Sequence, residues 1–404
     1  KTQLLKIDAA NQRSQGASAV LMIVIAIAAI VLLIWIVLLF GRGWFWIEHS
    51  PESCAPTNAT PSVAVIVPAR DEAEHLSPVI ESLLTQRYTG DIRVVLVDDD
   101  SSDDTQYEAI AAARRLGSNQ LTVLSATPVP HGWKGKMWAL AEGVHAAEEF
   151  HPHYYLFADA DIVHGLDSVR SLVSCAESGG YDLVSQMVKL YCESFAERLL
   201  IPAFTFFFFM LYPPRWVSDK RRSTAAAAGG CALIRADALR KIGGIAAIHD
   251  DLIDDCALAG AVKRGGGSVW LGQTAETHSI RPYGGFTEIN QLISRTAFTQ
   301  LNHSVLLLLG TVLGLTLTYL VPPLLLFAGG WAALLGGTAW LMMSIAYWPT
   351  LRSYGQSPMR APLLPVVALS YLIATVQSAL EYWQGLGGQW KGRVQDPVRE
   401  PEQP

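Results

Sequence analysis

Residues 92–105 read IRVVLVDDDSSDDT, in which a mostly apolar run passes directly into five aspartates within seven positions. The apolar run has the composition of a buried strand. Carboxylates crowded at a strand end repel one another unless hydrogen-bond donors or a cation lie nearby, so we expect Asp98 and Asp99 to bind a ligand. The polar residues that come next can equally cap the following helix: Ser102, Asp103 and Asp104.

The same alternation of apolar runs and amphipathic stretches extends on both sides of this segment. Predicted strands occupy 63–67, 92–97, 121–124 and 154–158, and predicted helices occupy 77–86, 104–116 and 137–150. Strands that alternate with helices predict an α/β fold with an open, mostly parallel sheet. Ligands of such sheets bind beyond the carboxyl ends of the strands, so the residues that follow each strand are expected to carry the chemistry.

A second acidic pair follows the predicted strand 154–158. Asp159 and Asp161 stand on alternate positions of an Asp-Ala-Asp triplet. Carboxylate oxygens are hard ligands that suit Mg²⁺ and Mn²⁺, and such an ion can be shared with a diphosphate. The sequence therefore predicts a site for Mg²⁺ or Mn²⁺ at the carboxyl edge of the sheet.

Long apolar runs predict a membrane protein. The chain of 404 residues is 50% hydrophobic and only 16% charged. Residues 20–40 form an uncharged run that is long enough to cross the roughly 30 Å hydrocarbon core as a helix. Three further spans are predicted after residue 304, at 305–328, 331–348 and 363–380.

These runs divide the chain into five parts. We expect an N-terminal flank at 1–19, a transmembrane helix at 20–40, a soluble domain at 50–302, transmembrane helices at 305–386 and a polar, disordered tail at 387–404. One shorter apolar run, 199–212, is interrupted by Pro202 and is too short to span. It is either a core helix or an interfacial helix that rests in the bilayer surface.

The net charge and the number and spacing of the cysteines limit which classes of partner and which cellular compartment are expected. The net charge of −6 argues against a nucleic-acid partner, because binding to phosphates requires a basic face. The five cysteines are odd in number and widely spaced, and they include no CxxC pair. This pattern predicts free thiols in a reducing compartment rather than a disulfide framework.

Three motifs together resemble those of the family 2 glycosyltransferases, whose catalytic domain is GT-A. They are VPARDE at 67–72, VDDDSSDDT at 97–105 and DAD at 159–161. The resemblance implies that four residues contact the base and the ribose of a nucleotide-sugar, in particular a UDP-sugar: Arg70, Glu72, Asp98 and Asp99. It also implies that Asp159 and Asp161 hold the metal and the diphosphate. One departure is Asp100, where the family usually has glycine.

The segment 132–140, GWKGKMWAL, is a basic stretch flanked by glycines that opens a predicted helix. Its backbone N–H groups and Lys136 can face a phosphate, although lysines at a helix start are often simply solvated. The segment resembles the GKxxAL motif of the same family. Its tryptophan-rich form resembles the hopene-associated glycosyltransferases, which implies a hopanoid-type lipid acceptor.

A third acidic cluster, HDDLIDDCAL at 249–258, stands at a predicted helix N-terminus, where acids complement the helix dipole. The pair Asp254-Asp255 resembles the Glu-Asp-x-x-Leu motif of the family, in which the second acid deprotonates the acceptor hydroxyl. Asp255 is therefore the candidate base. Asp251, one helical turn earlier, is the reserve candidate, and Asp254 is a candidate contact to diphosphate or acceptor.

Two arginines precede the C-terminal apolar runs. Arg281 and Arg295 can neutralise a diphosphate, or they can anchor the chain to lipid headgroups. Processive polysaccharide synthases of the family carry QxxRW in this region. Here Gln291 and Arg295 are spaced one residue too far apart and the tryptophan is missing.

The sequence therefore predicts a metal-dependent hexosyltransferase that moves one sugar from a nucleotide-sugar to a lipid acceptor. Two alternatives stay open, a processive polysaccharide synthase and a non-catalytic membrane protein that keeps the fold for binding. Nucleotide-sugars are cytoplasmic in bacteria, so we expect a multi-pass protein of the cell inner membrane with its 50–302 domain in the cytoplasm. The positive-inside rule supports this orientation through Arg352 and Arg360, but not through the basic N-terminus.

Overall fold

An eight-stranded sheet forms the centre of the molecule in the computed structural model, which describes residues 2–50, 54–390 and 393–394. Its strands are β1 Val63–Ala69, β2 Ile92–Asp98, β3 Leu121–Ser125, β4 Tyr154–Ala158, β5 Ile162–Val163, β6 Leu183–Lys189, β7 Cys231–Arg235 and β8 Val269–Ser279. Their spatial order is β3-β2-β1-β4-β7-β6-β8-β5. The four strands predicted from sequence are all present, and β4 has the predicted bounds.

Strand direction differs from the prediction in the second half of the sheet. Strands β3, β2, β1 and β4 run parallel. Strand β7, however, is antiparallel to both of its neighbours, and β5 is antiparallel to β8. Strands β6 and β8 are parallel to each other and, because β7 is antiparallel to both β4 and β6, they run in the direction of β4. The prediction of a mostly parallel sheet is therefore confirmed only in part, and the sheet is mixed. The path of the connecting segments sets the direction of a strand, and residue patterns within the strand do not encode it.

Fourteen α-helices surround this sheet or continue beyond it within the described part of the chain. In chain order they are α1 Thr2–Ile36, α2 Ala73–Leu84, α3 Thr105–Arg115, α4 Gly135–Ala147, α5 Ser168–Gly179, α6 Phe195–Leu211, α7 Pro214–Val217, α8 Ala236–Lys241, α9 Asp254–Arg264, α10 Phe286–Ala297, α11 Val305–Leu315, α12 Val321–Leu324, α13 Gly330–Ser353 and α14 Leu364–Trp383.

Alternate residues of β1 point to opposite faces of the sheet, and each face has its own core. Val63, Val65 and Val67 pack with buried side chains of α2, α3 and α5. Ala64 and Ile66 belong to the other core, which includes α4 and reaches α6, α13 and α14. Because both faces are covered, the central strands read as continuous apolar runs.

Helix α2 begins earlier than predicted, at Ala73 rather than at residue 77, and Pro78 lies inside it. The neighbouring loop supplies the reason. The carboxylate of Asp103 accepts a hydrogen bond from the Ala73 N–H at 3.0 Å, and the Thr105 hydroxyl accepts one from the Glu72 N–H at 2.9 Å. Partners outside the helix therefore satisfy the N–H groups of Glu72 and Ala73, so the helix can begin at Ala73 instead of at residue 77.

Four helical segments of the described chain are long and apolar enough to cross a membrane: Ser18–Gly41, Phe195–Val217, Val305–Ala328 and Pro358–Trp383. Helix α1 already begins at Thr2, so the predicted flank 1–19 and span 20–40 form one continuous helix. The run predicted as too short, 199–212, belongs to a longer apolar segment that starts at Phe195. The predicted span 331–348 lies within α13, which is helical but is not among these four segments.

Two local expectations also need correction. Cys54 and Cys175 form a disulfide, so the prediction of free thiols is wrong for this pair, which is separated by 121 residues in sequence. The other three cysteines are free. In the predicted disordered tail, Gln389–Trp390 pairs antiparallel with Arg393–Val394. Residues 391–392 and 395–404 of the tail lie outside the described residues.

Candidate active site

The ends of several strands meet at one edge of the sheet. Ala69 pairs with Asp98, so β1 and β2 end side by side. Ala158, the last residue of β4, pairs with Cys231, the first residue of the antiparallel β7. The loop that precedes β7 therefore lies at the same edge as Asp159. The pairing of these strands thus gathers residues that are far apart in sequence at this edge, as expected for an α/β sheet.

Arg70 and Asp99 form a pair after β1 and β2. The Arg70 guanidinium donates a hydrogen bond from Nη1 to the Asp99 carbonyl oxygen at 2.6 Å, and the same nitrogen lies 3.6 Å from the Asp99 carboxylate. The side chain of Asp99 is only 7% exposed. The arginine therefore compensates a buried acid and holds the two strand ends together.

The loop itself holds the Asp98 carboxylate. Its Oδ2 accepts a hydrogen bond from Gln106 at 2.7 Å, and its Oδ1 accepts bonds from the backbone N–H and the hydroxyl of Ser101. Asp100 has a φ of 58°, which is in the left-handed region. The family resemblance places glycine here, and glycine adopts this conformation without strain, while aspartate tolerates it better than most residues.

A half-buried cation lies at the centre of the site. Lys136, in the first turn of α4, has its Nζ 2.9 Å from Asp159 Oδ1 and 3.3 Å from Asp254 Oδ2. Burial alone would lower the pKa of Lys136, but the carboxylates of Asp159 and Asp254 outweigh it and raise that pKa. The lysine therefore stays charged and joins the end of β4 to the start of α9.

Asp255 is held by backbone groups. Its Oδ2 accepts a hydrogen bond from the Gly229 N–H at 2.9 Å, and its Oδ1 accepts one from the Cys256 N–H at 2.7 Å. Burial, followed by repulsion from Asp254, raises the pKa of Asp255 well above that of an ordinary carboxyl group. A carboxylate with a raised pKa is a better proton acceptor, which is what a general base needs.

Asp161 belongs to a second group of charges. Its Oδ2 accepts a hydrogen bond from the Ser279 hydroxyl at 2.8 Å and lies 3.5 Å from Nε of Arg281. The same arginine donates a hydrogen bond to the buried carboxylate of Glu72. Burial and then repulsion from Asp159 raise the pKa of Asp161. Glu72, Asp161 and Arg281 thus form one connected cluster.

The residues present fit a divalent ion that is shared with a ligand. Burial, and then the neighbouring charge of Asp159, raise the pKa of Asp161, and a bound cation would favour the ionised form of both acids. Among the described residues no group of three or more His, Cys, Asp or Glu side chains could hold a metal. Asp159 and Asp161 would therefore supply two ligands, with water and a diphosphate completing the shell, as is usual for Mg²⁺.

Two candidates from the sequence form no side-chain hydrogen bond or ion pair with these charged residues in the part of the chain that the structure describes. Asp251 is exposed and precedes α9, which begins only at Asp254, so the expectation that Asp251 lies one helical turn from Asp255 is wrong. Arg295 lies near the end of α10, and its buried Nε has no hydrogen-bond partner in the described part of the chain. The structure brings Arg281 to the site, but not Arg295.

Several residues that the sequence analysis did not single out support the site. Ser279 pairs with Ile162 across β8 and β5, which places its hydroxyl beside Asp161. Gly229 and Gln106 donate hydrogen bonds to Asp255 and Asp98, respectively. No sequence motif marks these three residues, because their roles depend on strand register and on contacts between distant segments.

The mixed α/β sheet and the carboxylates at its edge define a transferase of the GT-A type. Residues 61–297, more than half of the chain, match the family model described as "Glycosyltransferase like family 2", and the chain belongs to this family. It is therefore a glycosyltransferase that uses nucleotide-sugar donors.

Solved structures support the assignment of the fold. The mannosyltransferase PcManGT from Pyrobaculum calidifontis, in complex with GDP-Man and Mn²⁺, is 19% identical and has a TM-score of 0.53, covering 88% of this chain and 99% of that chain. Glucosyl-3-phosphoglycerate synthase from Mycobacterium tuberculosis, in complex with Mg²⁺ and uridine diphosphate, is 17% identical and has a TM-score of 0.39, covering 60% and 79%. No curated protein matches the sequence. At 19% identity the likeness to PcManGT shows the fold alone.

Proposed function

We propose that the chain is a membrane-bound, inverting hexosyltransferase that moves one sugar from a UDP-sugar to a lipid acceptor. The observation that carries this proposal is the shared cleft lined by Asp159, Asp254, Asp255 and Lys136. Asp159, which is proposed to bind the donor diphosphate, and Asp255, which is proposed to accept the proton of the acceptor hydroxyl, both face this cleft. Lys136 forms ion pairs with Asp159 and with Asp254, the residue that directly precedes Asp255.

Binding of the donor is assigned to the ends of β1 and β2. Glu72, Asp98 and Asp99 are all buried acids at this edge, and Arg70 lies against Asp99. Carboxylates placed in this way can accept hydrogen bonds from the ribose hydroxyls and from the base. Arg281, beside Asp161, would lie near the diphosphate and compensate its charge.

Asp159 and Asp161 would hold Mg²⁺ or Mn²⁺. When bound, the ion offsets the negative charge that builds up on the departing nucleoside diphosphate. Lys136 adds a fixed positive charge beside Asp159. Its ion pairs with Asp159 and Asp254 also keep α9, and with it Asp255, against the end of β4.

Asp255 acts as the general base. The acceptor hydroxyl oxygen attacks the anomeric carbon, its proton passes to Asp255, and the bond from that carbon to the diphosphate oxygen breaks. The nucleoside diphosphate leaves from the opposite face, so the configuration at the anomeric carbon inverts. A hydroxyl is a poor nucleophile at neutral pH, and a positioned base contributes about 10²- to 10⁴-fold to the rate.

The lipid nature of the acceptor is supported by the apolar helix next to the site. Phe195, at the start of α6, is 70% exposed, and Phe286, at the start of α10, is 50% exposed; their ring centroids are 6.3 Å apart. Glu197 of α6 accepts a hydrogen bond from the Tyr283 N–H at 2.8 Å, close in sequence to Arg281. An acceptor in the bilayer would therefore lie near the donor diphosphate. The tryptophan-rich segment that begins α4 makes a hopanoid-type lipid the first acceptor to test.

The direct test is to incubate membranes that contain the protein with a panel of labelled nucleotide-sugars and to analyse the lipid extract. We expect label in one glycolipid, and no label with membranes that contain Asp255→Asn. Label in a long polymer would instead indicate a processive synthase. Binding of nucleotide-sugar without transfer to any acceptor would indicate a non-catalytic protein.

The chain is further proposed to lie in the cell inner membrane with its sheet domain in the cytoplasm, where nucleotide-sugars are available. Arg352, in the last turn of α13, and Arg360, between α13 and α14, favour the same side. The disulfide between Cys54 and Cys175 counts against this orientation, because disulfides rarely persist in reducing compartments. A topology measurement decides between these two arguments.

A further inference from the structure

A basic segment stands immediately after an apolar one in a chain of net charge −6. Residues 215–222 read RWVSDKRR, with four basic residues and one acidic residue, and they overlap the end of the candidate span Phe195–Val217. The side chains of Arg215, Lys220, Arg221 and Arg222 are exposed. Four of the 30 basic residues of the chain thus stand together at one end of an apolar helix.

The end of a second candidate span meets this segment. Arg42 follows the span Ser18–Gly41 directly, and it donates hydrogen bonds to the carbonyl oxygens of Met210 and Leu211 at 3.0 and 3.1 Å. These carbonyls lie at the C-terminus of α6, which carries partial negative charge. Arg42 therefore holds the end of the apolar segment Ser18–Gly41 beside the end of α6.

Trp216 lies between two of these cations. The guanidinium of Arg42 is 4.9 Å from the centroid of its ring, and that of Arg222 is 4.5 Å away. Tryptophan is enriched at the level of the headgroups, where an apolar ring with one polar atom is favoured. Lys263 adds a further positive charge to this segment. Its Nζ donates hydrogen bonds to the carbonyl oxygens of Asp219 and Arg222.

We infer that these six basic residues form a binding surface for anionic phospholipid headgroups in the leaflet next to the sheet domain. This basic patch consists of Arg42, Arg215, Lys220, Arg221, Arg222 and Lys263, with Asp219 as its acidic member. Basic clusters directly beside membrane helices attract anionic lipids, and the attraction fades within a Debye length. Arg42 follows the candidate span Ser18–Gly41 and is bonded to the end of α6, which sets the patch at headgroup depth and favours lipid over a soluble polyanion.

The test uses the full-length protein purified in detergent and exchanged into micelles that contain equal amounts of phosphatidylglycerol and phosphatidylcholine. Lipids that stay bound after washing are quantified by mass spectrometry. We expect the wild type to retain more phosphatidylglycerol than phosphatidylcholine, with an enrichment that falls as salt rises. The variant Arg215→Gln/Lys220→Gln/Arg221→Gln/Arg222→Gln should lose this enrichment, because each charge near the surface changes the affinity about fivefold.

A matched control removes the same charge from other exposed side chains: Arg93→Gln/Arg170→Gln/Arg240→Gln/Lys241→Gln. It should keep the enrichment of the wild type. If the first variant does not fold, Arg215→Gln/Arg221→Gln tests the same expectation with a smaller loss. Equal retention of both lipids by the wild type would overturn the inference, and so would a folded patch variant that keeps the wild-type enrichment.

Discussion

At the level of single residues, Asp255 has the environment that the proposed base requires. The Gly229 and Cys256 N–H groups fix the orientation of its carboxylate, and its pKa is raised above the usual range. We expect Asp255→Asn to keep nucleotide-sugar binding while turnover falls by about 10²- to 10⁴-fold, because only the transfer of the proton is lost. Turnover and donor affinity are measured separately for the purified variant.

The control for this prediction is Asp251→Asn, which changes an exposed acid outside α9. It should have near-normal turnover. Near-normal turnover of Asp255→Asn would eliminate the assignment of the base. A product that retains the configuration of the donor would eliminate the inverting mechanism itself.

The raised pKa of Asp255 also predicts how activity depends on pH. The base works only when ionised, so activity is present above the folded-state pKa and is lost as the pH falls through it. Because burial and Asp254 raise that pKa, the loss should begin at a higher pH than for an ordinary carboxyl group. The acid limb of the kcat/KM profile measures this; a limb at the pH of an unperturbed carboxyl would contradict the prediction.

Asp159 and Asp161 predict a requirement for Mg²⁺ or Mn²⁺. The double variant Asp159→Asn/Asp161→Asn should lose activity and bind the donor more weakly, because it removes both acidic ligands. EDTA should abolish turnover of the wild type, and added Mn²⁺ should restore it. Full turnover in EDTA, or in the double variant, would refute the assignment.

At the level of elements, Glu197 connects α6 to the loop that carries Arg281. Its buried carboxylate accepts hydrogen bonds from the N–H groups of Glu193, Ser194 and Tyr283. Glu197→Ala would leave these donors without their acceptor, at a cost of about 1–3 kcal/mol for each donor that stays buried. We therefore expect a lower unfolding temperature in detergent, together with weaker donor binding as the Arg281 loop loosens.

The neighbouring acid provides a control for this prediction. The side chain of Glu193 is 68% exposed and forms only a 3.4 Å contact with Arg198. Glu193→Ala should leave the unfolding temperature nearly unchanged, since exposed ion pairs contribute about 0–1 kcal/mol. Equal effects of the two substitutions would show that the connection to the loop adds no stability.

At the level of the whole molecule, the orientation in the membrane is open to direct measurement. The exposed turn at Gly117, after α3, is suitable for a reporter fusion. If the sheet domain is cytoplasmic, alkaline phosphatase fused there should be inactive, whereas a fusion at Gly329, between the two apolar segments α12 and α13, should be active. An active fusion at Gly117 would place the domain outside and would agree with the disulfide between Cys54 and Cys175.

The sequence alone determined the positions of β1, β2 and β4 and the acids that follow them. Apolar runs and their polar ends are local patterns, and a strand buried on both faces leaves a clear one. Asp98 and Asp159 could therefore be singled out without a structure, whereas Asp255 was singled out by the resemblance of its segment to a family motif. Asp100 could also be recognised as a departure from the family pattern, and the φ of 58° gives the physical reason for glycine at that position.

Only the tertiary structure decided the direction of β7 and the partners of the charged residues. Arg281 contacts Glu72 across 209 positions of sequence, and Lys136 joins Asp159 to Asp254. Such contacts depend on strand register and on the path of the connections, which no local pattern encodes. The same reason applies to Arg295. Like Arg281 it precedes the C-terminal apolar runs, but it lies in α10 and forms no ion pair with the site carboxylates among the described residues, whereas Arg281 lies 3.5 Å from Asp161.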